Sequence, residues 1–340
     1  MKARAAWLIS ISVAAVALAQ PGGKPQYGAW GFDTEGADMK TKPGDDFFRY
    51  ANGAWLDRVQ IPADKPAYSL RLAMTDLTEQ RLHDLMEETA KKAEAKPTTI
   101  EGKVGAFYKS FMDDARIEKE GASGLNGILG EVQSAKTRDS LAALMGRQNS
   151  DFHGGIFGLF VDVDIKDPKK YAVYLGQAGL GLPDRDYYLK PDFAEKKQKY
   201  QAYAAQLLHL VAWPEADKRA AEVIDFEAKI AEASWTKTQQ RDPIATYNAM
   251  TVAELETLAS KFAWRKFLAE GGFPKIERVV VGEKSAFTKI AEVFDKAPVE
   301  TLQAWQAFNI ADHAAPYLSK AFVDAFFEMR NKTLSGQAEP

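Results

Sequence analysis

Val104, Phe107, Tyr108 and Phe111 fall at offsets 0, 3, 4 and 7, the spacing of one face of an α-helix. Leu125, Ile128, Leu129 and Val132 repeat that spacing, and Leu141, Leu144 and Met145 suggest further turns. Before them, Asp76 to Thr89 carries Leu77, Leu82, Leu85 and Met86, the last three close to one helical face. The polar stretch from Ala90 to Thr99, with Pro97 near its end, predicts a surface connection. A long stripe of Tyr200, Tyr203, Ala204, Leu207, Leu208 and Val211 stops at Trp213-Pro214. Val223, Phe226, Ile230 and Ala233 form the next stripe, and Phe287, Ile290, Ala291 and Phe294 another. Leu318, Phe322, Ala325, Phe326 and Met329 form the last. Thr251 and Glu254 have the spacing of a capping box ahead of Leu255 and Leu258.

The period changes once. Val161 to Ile165 alternates, Tyr171 to Leu175 is apolar again, and Lys166-Asp167-Pro168-Lys169 lies between them. This predicts a β-hairpin with a longer loop. Arg278 to Val281 is a weaker strand signal. The expected class is therefore mainly α, a multi-helix body with one small β-hairpin.

Composition changes the picture at the N-terminus. Lys2 and Arg4 precede an apolar run from Ala6 to Val16 and a small-x-small pattern at Ala17-Leu18-Ala19. Residues 1–19 thus read as a secretory signal peptide cleaved after Ala19, which predicts a secreted or periplasmic protein. A retained membrane anchor is the alternative, although the run is short for a span. Loss of Lys2 and Arg4 would take the formal charge from −3 to −5. Residues 20–40 are rich in Gly and Pro and read as a flexible tail, leaving 41–340 as the body. No later apolar run is long enough to cross a membrane, and the mild negative charge gives no nucleic-acid footprint. The 340 residues contain no cysteine, which excludes disulfides and a thiol nucleophile.

Candidate chemistry is sparse. Pro43 to Pro62 opens with a turn, then Asp45 and Asp46, which suit a helix start. Phe47, Phe48, Tyr50 and Trp55 follow and predict a segment buried against something large, with Asn52-Gly53 interrupting or ending its helix. Pro183 and Asp184 predict a turn. Arg185 and Asp186 beside them could form an acid/base set, but capping and pairing is the plainer account, with Tyr187, Tyr188 and Leu189 packing inward. Arg241 and Asp242 read the same way, Asp242 as a cap and Arg241 as a bridge to another segment. Asp162, Asp164 and Asp167 lack the glycine and terminal glutamate of a calcium loop. His83, His153, His209 and His313 are far apart, and no His-Glu-x-x-His pair exists, so no metal site is expected in this chain.

Several of these stretches, in order, resemble the M13 (neprilysin-like) zinc metallopeptidases. They are PGDDFFRYANGAWL with IPADKP after it, YKSFMDD at Tyr108 to Asp114, and GLGLPDRDYYL at Gly179 to Leu189. RDPIATYNAMT at Arg241 to Thr251, which includes Tyr247 and Asn248, and the tail from Tyr317 to Gln337 complete the set. The resemblance covers roughly residues 41–340 and implies the N-terminal, non-catalytic region of such an enzyme. In the family the zinc ligands and catalytic glutamate lie in a C-terminal half, so zinc is expected there. The implied role is to enclose, with that half, a chamber for small peptide substrates. The arginines that hold a substrate carboxylate in some members correspond here to Ala67 and Thr75; Arg71 is a nearby but offset candidate. The alternative expectation is a free-standing secreted helical binding protein descended from such a cap. Leu318, Phe322, Phe326 and Met329 discriminate: covered, they suit a free-standing domain; exposed, a missing partner.

Overall fold

The computed structural model describes residues 33–92, 97–149 and 154–340. The expected signal peptide, most of the expected tail, and His153 lie outside the described residues. The described chain divides at Pro62 into a small N-terminal unit and a larger one from Ala63 onward.

The small unit holds a 3-10 turn, Thr34–Gly36, and helix α1, Phe47–Arg58. Asp46 caps α1, its Oδ1 accepting from Arg49 N at 2.8 Å. The helix runs through Asn52-Gly53 rather than ending there. Asn52 Nδ2 donates back to Phe48 O at 3.1 Å, and Gly53 is buried. Arg49 pairs with Asp38 at 3.4 Å and Asp57 at 2.5 Å, and Arg58 pairs with Asp33. The expected burial of four rings does not occur within this unit. Trp55 and Tyr50 are half-buried, but Phe47 is 69% and Phe48 65% exposed. The unit is too small to supply a core for the first turn of its own helix.

The larger unit begins with two helices, α2 (Leu70–Lys92) and α3 (Ile100–Phe111). Thr99 caps α3, its Oγ1 accepting from Gly102 N at 3.1 Å. Helices α4 (Asp114–Glu120), α5 (Asn126–Ser134) and α6 (Arg138–Asn149) follow. Strands β1 (Phe157–Asp164) and β2 (Asp167–Gln177) come next, then α7 (Asp186–Leu189), α8 (Ala194–Leu210), α9 (Ala216–Ala233) and α10 (Lys237–Gln240). Strand β3 (Asn248–Thr251), α11 (Val252–Leu258), α12 (Trp264–Glu270), β4 (Arg278–Val281), α13 (Lys284–Lys296), α14 (Val299–Ala314) and α15 (Lys320–Phe326) complete the order. A π-helical stretch, Phe327–Ser335, continues α15. The class is mainly α, as the periodicity implies.

The hairpin is part of a four-stranded sheet ordered β1-β2-β4-β3. β1 and β2 pair antiparallel from Phe157↔Gln177 to Asp164↔Asp167, so the turn is only Ile165-Lys166 and not the longer loop expected. β2 and β4 are parallel, with Tyr174↔Val280 and Leu175↔Val281, and β3 closes the other edge antiparallel to β4. Four residues of β3 inside the RDPIATYNAMT motif are too few to alternate visibly. Thr251 forms the expected capping box at the start of α11.

The core lies beside the sheet and around α14. Phe157, Phe262, Trp264, Phe267, Phe287 and Phe294 form a ring cluster with edge and tilted contacts of 4.6 to 6.2 Å. Nearly every side chain of α14 from Thr301 to Asp312 is buried. Gln303 Nε2 donates to the carbonyls of Val132, Gln133 and Ala135, each at 3.0 Å, so this central helix also closes the end of α5. Phe322 and Met329 are buried and Leu318 and Phe326 pack against the same core. The last helix is therefore covered within the chain.

Candidate functional site

The specific motifs converge on a buried polar cluster. α9 places Glu227 in its apolar stripe, between Val223 and Ile230, and leaves it fully buried. Four donors surround its carboxyl: Tyr188 Oη at 2.6 Å, Trp305 Nε1 at 3.0 Å, Gly181 N at 3.4 Å and Tyr200 Oη at 3.4 Å. Burial pushes Glu227 up to about 7, against the opposing pull of the Tyr188, Gly181 and Trp305 hydrogen bonds and of the nearby Arg330 charge. Arg330, from the π-helix, donates to Gly181 O and grips Asp312, through Nε at 3.1 Å and also through Nη2. Its guanidinium lies 5.3 Å from the centre of the Tyr200 ring and 5.7 Å from that of Tyr203, whose hydroxyl donates to Asp312 at 2.6 Å. The Gly181 peptide is thus held on both faces, N–H by Glu227 and C=O by Arg330. A Cβ at Gly181 would stand 1.8 Å from Tyr200 Oη, so only glycine fits.

The residues of the DRDYY motif brace this cluster and carry no acid/base pair. Asp184 Oδ1 accepts from Asp186 N at 2.8 Å, making the turn that exposed Pro183 begins. Arg185 Nε donates to Ala231 O at 2.9 Å, and Asp186 pairs with Lys190 at 2.7 Å. Tyr187 stacks on Phe193 at 4.2 Å, and Tyr188 Oη also accepts from Leu182 N at 2.8 Å. Leu189, expected inward, is partly exposed.

The second motif organises the sheet. Asp242 Oδ1 accepts from Ile244 N at 2.9 Å and Ala245 N at 3.1 Å. Arg241 is exposed and, among the described residues, reaches no other segment, so the expected bridge does not form. The bridging cation is instead Arg278, which pairs with Asp164 at 2.9 Å and donates to Tyr247 Oη at 2.8 Å. Tyr247 donates to Asp164 at 2.7 Å, and Asn248 Nδ2 donates to the carbonyls of Ala245, Val281 and Gly282 at 2.8 to 3.1 Å. The Tyr247 hydroxyl, then the Lys166 N–H and the Arg278 guanidinium, hold the Asp164 carboxyl down to about 2. This arrangement locks β1, β3 and β4 together, and Tyr247, Asn248 and Lys166 also line an open cavity of about 570 Å³ with Glu254 and Lys284.

Asp45 lies in the turn before α1, its N donating to Lys42 O at 3.0 Å. Arg71 and Thr75 are exposed at the start of α2 and Ala67 is exposed in the segment before it; the Thr75 hydroxyl donates to Arg71 O at 3.1 Å. Among the described residues no three His, Asp or Glu side chains come together in a way that could hold a metal ion. His83, His209 and His313 are exposed. No helix of the described residues is long and apolar enough to cross a membrane.

Sequence reasoning passed over Glu227, Asp312 and Arg330. The signal for the first was an acid at helical spacing inside an apolar stripe. Asp312 sits on a helix without a visible period, and Arg330 directly follows Met329, the last apolar residue of the final stripe.

The α2–α3 pair is built the opposite way. Gly102, Gly105 and Tyr108 of α3 face inward, the Tyr108 hydroxyl donating to Glu87 at 2.8 Å. A Cβ at Gly105 would stand 2.2 Å from Thr89 O, so glycine permits the close crossing. The apolar row of α3 points to solvent: Ile100 is 80% and Phe107 67% exposed, and Val104 and Phe111 are also exposed. α2 repeats this with exposed Leu70, Met74, Leu77 and Leu85. The sequence pattern found the α3 helix, but its apolar face is outside.

Comparisons with known proteins fit this architecture. Residues 43–340 match the family model Peptidase_M13_N, described as peptidase family M13. Endothelin-converting enzyme 1 of Bos taurus is 26% identical over 303 residues, covering 85% of this chain and 40% of that protein. Endothelin-converting enzyme-like 1 of Homo sapiens is 25% identical over 351 residues, covering 96% of this chain and 45% of the relative. The crystal structure of Mycobacterium tuberculosis zinc metalloprotease Zmp1 with an inhibitor superposes with a TM-score of 0.82 at 29% identity, covering 91% of this chain and 48% of that one. PepO of Lactobacillus rhamnosis, at 18% identity and a TM-score of 0.67, shares the fold. The chain spans less than half the length of these relatives. With the motif-built cluster at its centre and a match over nearly all of its body, the chain belongs to peptidase family M13, in that family's N-terminal region.

Proposed function

We propose that this chain is the non-catalytic N-terminal region of a secreted M13 zinc endopeptidase, shaping the substrate chamber beside a catalytic C-terminal half. The observation that carries the reading is the family match over residues 43–340 in a chain that covers 40–48% of its relatives. Zinc, with its ligands and general base, belongs to the other half in this reading; among the described residues no three His, Asp or Glu side chains gather into a donor set. What this half contributes is position. A body braced through Gly181 and the Asp164 lock is a rigid wall, suited to limiting entry to small peptides. Secretion rests on the leader-like residues 1–19.

The experiment compares the purified 340-residue chain with the product isolated from its own cell envelope or medium. The first should leave peptides intact. The second should be about twice as long and cleave them until a zinc chelator is added. Chelator-sensitive cleavage by the 340-residue chain alone would overturn the proposal. The covered last helix favours a second reading, a free-standing helical binding protein. A native product whose mass matches Gln20 to Pro340 would support that one.

A further inference from the structure

We propose that the cavity beside strand β3 binds a short, extended, acidic peptide, which adds to the open edge of the sheet and places its carboxylates on Lys166 and Lys284. The cavity measures about 570 Å³ and is walled by the β1–β2 turn, β3, α11 and the first residue of α13. The inference rests on this geometry alone; it needs neither zinc nor a catalytic half.

β3 is an edge strand, with β4 on one side and no strand beyond it among the described residues. Its register fixes which backbone groups face outward. Val252 N donates to Glu277 O at 3.0 Å, and Met250↔Val279 and Asn248↔Val281 continue that register. Antiparallel pairs alternate, so the backbone groups of Met250 and Asn248 turn to β4, and those of Ala249 and Thr251 turn to the open edge. Thr251 N is taken by Glu254 Oε2 at 2.8 Å. The Ala249 N–H and C=O remain, one donor and one acceptor on the cavity wall. Two such groups suit the backbone of an added peptide residue. An inorganic anion could use the N–H, but it has no donor for the C=O.

The cavity is positive because the acids around it are already spent. Glu254 also accepts from the Thr251 hydroxyl at 2.9 Å. Asp164 is held by Tyr247 and Arg278, and Asp167 pairs with Lys170 at 2.8 Å. Glu283 accepts from Gln177 N and Gln240 Nε2, each at 2.8 Å. The ammonium groups of Lys166 and Lys284 make no ion pair or hydrogen bond among the described residues; Lys166 Nζ lies 4.7 Å from the centre of the Tyr247 ring. Other lysines pair along their own helices, as Lys190 does with Asp186 and Lys229 with Asp225, both at 2.7 Å. Two such cations on one cavity, with Met250 and Leu258 as apolar lining, match a peptide that carries both acidic and apolar side chains.

The test is calorimetric titration of the 340-residue chain with a capped peptide of alternating Glu and Val, beside a Lys–Val peptide and inorganic phosphate. The Glu–Val peptide should bind, more weakly as salt rises, and the Lys–Val peptide should not. Lys166→Ala combined with Lys284→Ala should weaken binding about tenfold or more. Both side chains are exposed, so the helical circular dichroism of this variant should match the wild type. Ala249→Pro removes the edge N–H, where an edge strand tolerates proline, and should weaken the peptide by a similar factor. Absent binding by the wild type, equal binding by the double lysine variant, or equal binding of the Lys–Val peptide overturns the inference. Displacement of the peptide by phosphate, together with unchanged binding by Ala249→Pro, overturns the peptide as ligand in favour of a free anion.

Discussion

The Glu227–Arg330 cluster and the α2–α3 pair place their side chains in opposite ways. The first buries two acids and three tyrosines around a half-buried arginine, and satisfies them with one another and with the Gly181 backbone. The second buries glycines and leaves leucines, a methionine and phenylalanines in water. A burial rule based on residue type fails for both. Donor geometry succeeds for the cluster, because a buried polar group costs little once its hydrogen bonds are made. For the pair, the rule fails because the close crossing at Gly105 takes the inner face of α3, so its larger apolar side chains stand outside. One region satisfies its buried polar groups inside the chain; the other leaves an apolar row exposed among the described residues.

The largest expected effect breaks the finished side. Glu227→Ala leaves the Tyr188 hydroxyl, the Trp305 N–H and the Gly181 N–H facing a cavity. Loss of one member of such a network should cost about 3–5 kcal/mol. Urea unfolding of the 340-residue chain measures it; a loss below about 1 kcal/mol would show that the cluster is not what holds the motif loop.

A smaller effect comes from pH. Glu227 is raised from 4.5 to about 7 by burial. Between those values the folded chain holds a proton that the unfolded chain has lost, so stability falls as pH rises and levels off above 7. The predicted fall is on the order of 2–3 kcal/mol. Glu227→Gln should flatten it. A wild-type curve that rises from pH 5 to 7 would contradict the assignment, because depressed carboxylates such as Asp164 complete their contribution below that window.

Much of the finished region was legible in the sequence. Tyr200, Tyr203 and Leu207 announced α8, and Phe287, Ile290 and Phe294 announced α13, because each helix has one wet and one dry face. Helix α14 was not legible: it is buried on nearly all sides, so Trp305, Phe308 and Ile310 stand among buried Gln303 and Gln306 with no period. Strand β3 was too short, and the π-helix that carries Arg330 follows neither helical template. The DRDYY and RDPxxTYN motifs pointed to structure, and both lie on polar locks. Their partners did not share the motifs and could not be paired from sequence alone. For α3 the apolar stripe was read correctly as a helix. Its direction was not, since periodicity gives a face without saying what covers it.

The last comparison is within the open pair itself. Gly105→Ala puts a methyl group where only 2.2 Å separates it from Thr89 O, so α2 and α3 must part. The expected cost is about 1–3 kcal/mol, read as faster amide exchange in both helices. Phe107→Ser, two residues away on the outer face, removes a large ring whose one aromatic neighbour among the described residues is Phe111, at 6.4 Å between ring centres. It should change the stability of the 340-residue chain by about 0.5 kcal/mol or less. If the order is reversed, with the exposed phenylalanine mattering more than the buried glycine, then the outer row is already packed in solution and the pair is not open. If the order holds, the most apolar side of α3 does nothing for the fold that carries it.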